Sequence, residues 1–295
     1  MSTALFSSDL LQLQSLGDGI VELSLDRKHE SVNKLDTALV RDLDSALDRL
    51  AQHAGLRGVL LSSGKEAFLA GADMAALWAM LGAPKPELLA FCAETDRVLT
   101  RLDELPVPVV CAINGYALGG GLETALCADY RVLASNAQVG FPEVGFGILP
   151  GVGGTVRTPR LAGSATALEW ISSGRSYKAD AALKAGIVDA IAETAQLRDS
   201  ALALLQRAIG GELDWLGLRN TRRGSFSVDS AGFAMARTQL QKTAAHYPAP
   251  LTILGLLETC APLSRDAAFA HEAEAFATLM QTPTAKSLVA VFLSG

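Results

Sequence analysis

The run Asn114-Gly-Tyr-Ala-Leu-Gly-Gly-Gly-Leu-Glu123 constrains this chain more than any other feature. No charge occurs from Leu105 to Leu122, and then a carboxylate follows three consecutive glycines. Three glycines together are poor helix and strand formers, so they mark backbone that must come close to something else. If a helix opens there, its first N–H groups lack partners and favour negative charge on whatever binds. The uncharged stretch reaches the length of a membrane span. It also carries Pro106, Pro108, Asn114 and four glycines, which suits a buried strand and turn better.

Around this run the pattern is mixed. Leu10 to Leu13 and Ile20 to Leu25 alternate about Gly17-Asp18-Gly19 and predict a β-hairpin. Leu39, Leu43, Leu47 and Leu50 predict an amphipathic helix beginning at Asp36. Gly58–Ser62 and Val109–Ile113 read as buried strands. Met74–Leu81 and Pro86–Leu105 read as helices, and a helix from the triglycine runs through Ala128. Strands alternating with helices to about residue 190 predict an α/β core with mostly parallel pairing. Beyond about residue 195 helical stretches replace strands, at Leu197–Ile209, Ser230–His246, Ala249–Cys260 and Arg265–Leu279. The polar stretch Arg219–Ser227 reads as a loop. The expected division is a catalytic core over 1–192 and a C-terminal helical domain over 193–295.

Composition narrows the function. With 295 residues, 49% of them hydrophobic, the chain can bury a substantial core. A net charge of −6 argues against nucleic acid or an anionic membrane surface as the main partner. Cys92, Cys111, Cys127 and Cys260 have no C-x-x-C spacing, which fits a reducing cytoplasm. His29, His53, His246 and His271 are isolated, so no metal site is expected. Asp9 comes early and no Lys or Arg precedes Arg27, which does not fit a secretory signal. Gly151-Val-Gly-Gly lacks the third glycine of a dinucleotide fingerprint, and no Walker A pattern occurs. A tight turn before a helix is the plainer reading of those glycines.

Two carboxylates stand out. Glu123 lies beside Leu122, Ala125 and Leu126, and Glu143 is the sole charge between Arg131 and Arg157. Glu123 could simply satisfy a helix dipole. Apolar surroundings, however, raise a carboxyl pKa toward the range useful for acid–base work, and two such groups suggest divided tasks. In Phe68-Leu-Ala-Gly-Ala-Asp73, Asp73 would cap the helix at Met74, while the small residues could aim the N–H of Ala72 into a cavity.

Together, Phe68–Asp73, Asn114–Glu123 and Pro142–Gly154 resemble the motifs of the crotonase (enoyl-CoA hydratase/isomerase) superfamily, in order and spacing. Ser31–Asp36, Leu213–Trp215 and His246–Pro250 extend the resemblance to the hydratase/isomerase portion of the bacterial multifunctional fatty-acid-oxidation α-subunits. The resemblance implies a crotonase-like spiral α/β core. It implies an oxyanion hole from the N–H groups of Ala72 and Gly120, with Glu123 and Glu143 as the catalytic pair. It also implies CoA contacts near Arg27, Lys28, Ala70 and Gly71. The expected activity is hydration of a trans-2-enoyl-CoA, with no cofactor beyond the CoA of the substrate. The alternatives are a Δ3-to-Δ2 enoyl-CoA isomerase, in the same site or alone, and a non-catalytic acyl-CoA-binding or assembly module. No dehydrogenase fingerprint follows, so NAD-dependent activity is not expected. The chain would be a stand-alone relative or a piece of a longer one. Whether it forms a homo-oligomer or meets a thiolase partner stays open. Glutamine at either glutamate is expected to change stability little.

Overall fold

The computed structural model describes residues 3–71, 74–244 and 246–294. Packing divides the chain into two compact units that interleave along the sequence. The first comprises Met1–Gly71, Arg97–Val139 and Tyr177–Arg219; the second comprises Ala72–Asp96, Gly140–Ser176 and Asn220–Gly295.

The first unit is built on a seven-stranded sheet. Strands β1 (Thr3–Ser7), β2 (Leu11–Gly17) and β3 (Ile20–Leu25) pair antiparallel. The predicted hairpin turns at Gly17, Asp18 and Gly19, all with positive φ. A Cβ at Gly19 would lie 2.2 Å from the Gly55 carbonyl, so only glycine fits there. Helix α1 (Thr37–Ala51) then crosses over to β4 (Gly58–Ser63), parallel to β3. Asp36 caps α1 by accepting from the Leu39 N–H at 2.8 Å, and the four predicted leucines are buried.

The parallel set continues through β5 (Val109–Ile113), β7 (Tyr130–Ala134) and β10 (Ala190–Ala192). β5 and β7 are buried throughout, as an uncharged or nearly uncharged run requires of a covered parallel strand. The exception is Arg131 of β7, fully buried, whose guanidinium donates to the Ile187 and Ala128 carbonyls and to Asp189. Helices α2 (Met74–Met80) and α3 (Lys85–Asp103) lie between β4 and β5 in sequence. Arg97 and Arg101 of α3 pair with Asp44 and Asp48 of α1. A second sheet joins β6 (Tyr116–Leu118), β8 (Gln138–Gly140) and β9 (Ser176–Lys178). Between β6 and β7 stands the short helix α4 (Gly120–Ala125).

The second unit is mainly helical. After a 3-10 turn at Glu143–Phe146 come α5 (Gly154–Ala162) and α6 (Ser164–Ser173), packed on one another. In the first unit, α7 (Ala179–Lys184) packs on β10, and α8 (Leu197–Ile209) packs on β4, β5 and β7. Helix α9 (Trp215–Arg223) corrects the expected loop over Arg219–Ser227, since residues 219–223 are helical. The polar character of that stretch misleads because Arg219 is buried. It donates to both oxygens of Asp129, at 2.6 and 2.7 Å, and to the Leu105 and Val107 carbonyls, under the Trp215 ring.

Helices α10 (Ser230–Thr243), α11 (Pro248–Cys260), α12 (Arg265–Met280) and α13 (Pro283–Ser294) complete the second unit. There α11 packs against α5, α6, α10 and α12, and α13 packs against α2 and the 3-10 turn. No helix among the described residues is long and apolar enough to cross a membrane.

Candidate active site

In the first unit the structure joins two of the singled-out segments. The loop at Phe68–Gly71 runs beside Asn114–Gly121. Phe68 N–H donates to Asn114 O at 2.8 Å, Leu69 N–H to Tyr116 O at 3.1 Å, and Leu118 N–H to Leu69 O at 3.2 Å. The approach is close enough to dictate glycine. A Cβ at Gly121 would sit 2.2 Å from the Leu69 carbonyl oxygen, well inside van der Waals contact.

Residues 33–35 brace the loop from its other side. Ala70 N–H donates to Asn33 O and Leu35 N–H to Gly71 O, both at 3.0 Å. The buried Asn33 amide donates to the Leu25 and Phe68 carbonyls and to Ser63, and it accepts from Arg27 N–H. A buried amide satisfied on every side fixes its neighbours well, because losing any one partner strands a desolvated group.

Gly119, at φ 52°, starts α4. With only six residues, α4 has little macrodipole, so any anion stabilisation there rests on the individual first-turn N–H groups. Glu123 lies on this helix and is 2% exposed. The expected run to Ala128 is shortened: Cys127 and Ala128 bond back three residues, to Thr124 and Ala125, which tightens the last turn.

In the second unit Glu143 opens the 3-10 turn. The turn ends at Gly147, at φ 77°. Tyr247 clamps it, its hydroxyl donating to Val144 O and accepting from Gly147 N–H. The residue is half-buried as a whole, but Glu143 Oε2 is sealed from solvent and meets no hydrogen-bond partner among the described residues. Burial pushes this carboxyl up to about 8; its own backbone N–H opposes the shift and the charge of Glu272 adds to it.

Glu272 of α12 is fully buried and caps α5 from outside that helix. Its carboxylate accepts from Gly153 N–H, from Thr155 N–H at 2.7 Å and from the Thr155 hydroxyl. Gly153 itself, at φ 108°, has no side chain to cap with. The Gly151–Gly153 segment is the predicted turn before a helix. Burial raises Glu272 to about 7, against the Thr155 and Gly153 donors and the Arg157 guanidinium. Asp96 is also pushed well up, by burial and by Glu272, with Arg157 opposing.

Against known proteins, the enoyl-CoA hydratase/isomerase family model matches residues 16–216. The chain belongs to the enoyl-CoA hydratase/isomerase family. It is 41% identical to the fatty acid oxidation complex subunit alpha of Pseudomonas entomophila, covering 98% of this chain and 41% of that subunit. The corresponding subunit of Pseudomonas putida gives the same identity and coverage. The chain thus spans about two-fifths of the length of these relatives. Among solved structures, an enoyl-CoA hydratase from Bacillus anthracis superposes with a TM-score of 0.63 at 28% identity, covering 86% of this chain and 98% of that one. An enoyl-CoA hydratase from Bacillus halodurans, at 19% identity and TM-score 0.70, shares the fold over 96% of this chain and 99% of its own. The crotonase-like fold expected from the motifs is therefore the fold of this family member.

The remaining family-implied residues are placed as follows. Ala72 and Asp73 lie outside the described residues. Ala70 is exposed and Gly71, at φ 109°, is buried. The Arg27 guanidinium is engaged by Asp36 at 2.7 Å and by Glu30. Lys28 pairs with Asp9 in an exposed bridge at 2.9 Å. Asn33, Tyr247 and Glu272 escaped the sequence reading of the site. The stretches around Asn33 and Tyr247 carried the family resemblance, which was their only signal, and Glu272 had none.

Proposed function

We propose that this family member is an enoyl-CoA hydratase of fatty-acid β-oxidation, adding water across a trans-2-enoyl-CoA to give the 3-hydroxyacyl-CoA. The observation that carries this reading is Glu143: its Oε2 is sealed from solvent without a hydrogen-bond partner among the described residues, and burial raises the carboxyl to about 8, so that it holds its proton at neutral pH. Such a group is suited to general acid catalysis. In this reading Glu123 activates water for attack at C3, while Glu143 delivers the proton to C2.

The negative charge that builds on the thioester oxygen is held by the N–H groups of Gly120 and Ala72. The approach of Leu69 to Gly121 supports the Gly120 part of this placement, since it holds the start of α4 against the Phe68–Gly71 loop. A single preorganised donor of this kind is worth roughly 2.7–4 kcal/mol in related acyl chemistry. The name of the Pseudomonas relatives supports the metabolic setting.

A Δ3-to-Δ2 isomerisation would also use one carboxyl here, which as the carboxylate takes a proton from C2 and returns it at C4. The purified protein should therefore be given a trans-2-enoyl-CoA and, separately, a 3-enoyl-CoA. Loss of the conjugated enoyl absorbance with the first substrate is expected. Binding without turnover of either substrate would instead mark a non-catalytic acyl-CoA-binding module.

A further inference from the structure

We infer that Tyr247 is a positioning residue for Glu143: its hydroxyl, anchored at the head of α11, closes the 3-10 turn that aims the Glu143 carboxyl. This rests on the reading of Glu143 as the acid. Glu143 Oε2 meets no hydrogen-bond partner among the described residues, so that oxygen is aimed by the backbone beneath it and not by a side-chain bond. That backbone is short. Four residues form the turn, Glu143–Phe146, and 3-10 geometry gives poorer hydrogen bonds than an α-helix. Gly145 within it borders open space.

The turn is closed by Gly147 N–H, which is directed at the carbonyls of Glu143 and Val144. The Tyr247 hydroxyl sits across this closure. It donates to Val144 O and accepts from Gly147 N–H at 3.1 Å. Gly147 N–H also donates to Val144 O directly, at 2.9 Å, so neither group would be stranded without the hydroxyl. The hydroxyl therefore adds restraint to a turn that is already satisfied. Burial holds the phenol above its ordinary range, against the Gly147 N–H, so it keeps the proton it donates.

The anchor of this clamp is firm. Tyr247 is extended, as the residue before a proline prefers, and Pro248 opens α11. Ala249, Pro250, Ile253, Leu254 and Leu257 of that helix are buried, and it packs against α5, α6, α10 and α12. A movement of the Glu143 turn is thus tied to a movement of the best-packed helix around it.

The test is a double-mutant cycle on hydration of a trans-2-enoyl-CoA, with Tyr247→Phe made in the parent and in Glu143→Gln. Phenylalanine keeps the ring and removes only the hydroxyl. In the parent it should lower kcat by roughly 10- to 100-fold, the scale of a misplacement approaching 1 Å, with KM and calorimetric acyl-CoA binding kept. In Glu143→Gln, where the side chain delivers no proton, the same change should cost nothing further. Unchanged kcat in the parent, or equal losses in both backgrounds, would make Tyr247 a structural contact only and overturn the proposal.

Should Tyr247→Phe not fold, amide hydrogen exchange in the unaltered protein decides the matter. The Gly147 N–H should open no faster than the Leu254 N–H of α11, because the clamp ties the two. Exchange of Gly147 well ahead of Leu254 would show that the turn opens without the clamp, and would overturn the proposal equally. The underlying reading fails separately: full hydration activity in Glu143→Gln alone would remove Glu143 as the acid, whatever Tyr247→Phe does.

Discussion

Replacing Glu143 by glutamine should shift the stability difference between variant and parent in the variant's favour as pH rises. The sequence alone suggested a neutral change; the sealed, partnerless Oε2 is what alters the expectation. A carboxyl at about 8 in the folded protein and 4.5 in the unfolded chain is protonated in one state and ionised in the other between those values. The unfolded state then binds fewer protons, so stability falls with rising pH by about 1.36 kcal/mol per pH unit across that window. From about pH 5.5 to about pH 7.5 the loss attributable to Glu143 is about 2.7 kcal/mol, and about 2 after discounting for its partial exposure. Glutamine does not titrate and escapes this loss. Its buried amide also lacks partners, at a cost of about 1–3 kcal/mol, but that cost is independent of pH. The informative quantity is therefore the change in the stability difference between the two pH values. Thermal or urea melts of both proteins at the two pH values give it directly. A difference that stays constant would refute the claim that Glu143 is held neutral by burial.

Three further outcomes follow from the packing. Gly121→Ala should destabilise much more than Gly120→Ala, because the new Cβ meets the Leu69 carbonyl at 2.2 Å in one case and the movable Leu35 side chain at 2.7 Å in the other; melting temperatures of the two variants measure this. Arg219→Ala should cost about 3–5 kcal/mol in a urea melt, since it leaves the Asp129 carboxylate buried without its cation. Tyr247→Phe should cost about 1–2 kcal/mol in a urea melt and lower the hydration rate, because it frees the turn that carries Glu143.

Local signals were legible in the sequence, and distant ones were not. The triglycine, the hairpin turn and the leucine stripe of α1 each announce themselves within a few residues, because steric limits and helical periodicity act at that range. Glu123 and Glu143 were visible as lone charges in apolar runs. Glu272 was not, since it sits in an alanine-rich helix among other acidic residues and its partners lie more than a hundred positions earlier. Arg219 misled for the same reason. Its stretch has the polar composition of a loop, and only the fold reveals Asp129, 90 residues away, as the reason the charge is inside.

The central claim is that Glu123 and Glu143 divide the acid–base work of hydration, and one measurement tests it most directly. Steady-state hydration of a trans-2-enoyl-CoA by Glu123→Gln and by Glu143→Gln should be run with calorimetric binding of an acyl-CoA to each. Each variant should lose about 10²–10⁴-fold in kcat while binding acyl-CoA as the parent does. A Glu143→Gln enzyme that hydrates at the parental rate would contradict the account.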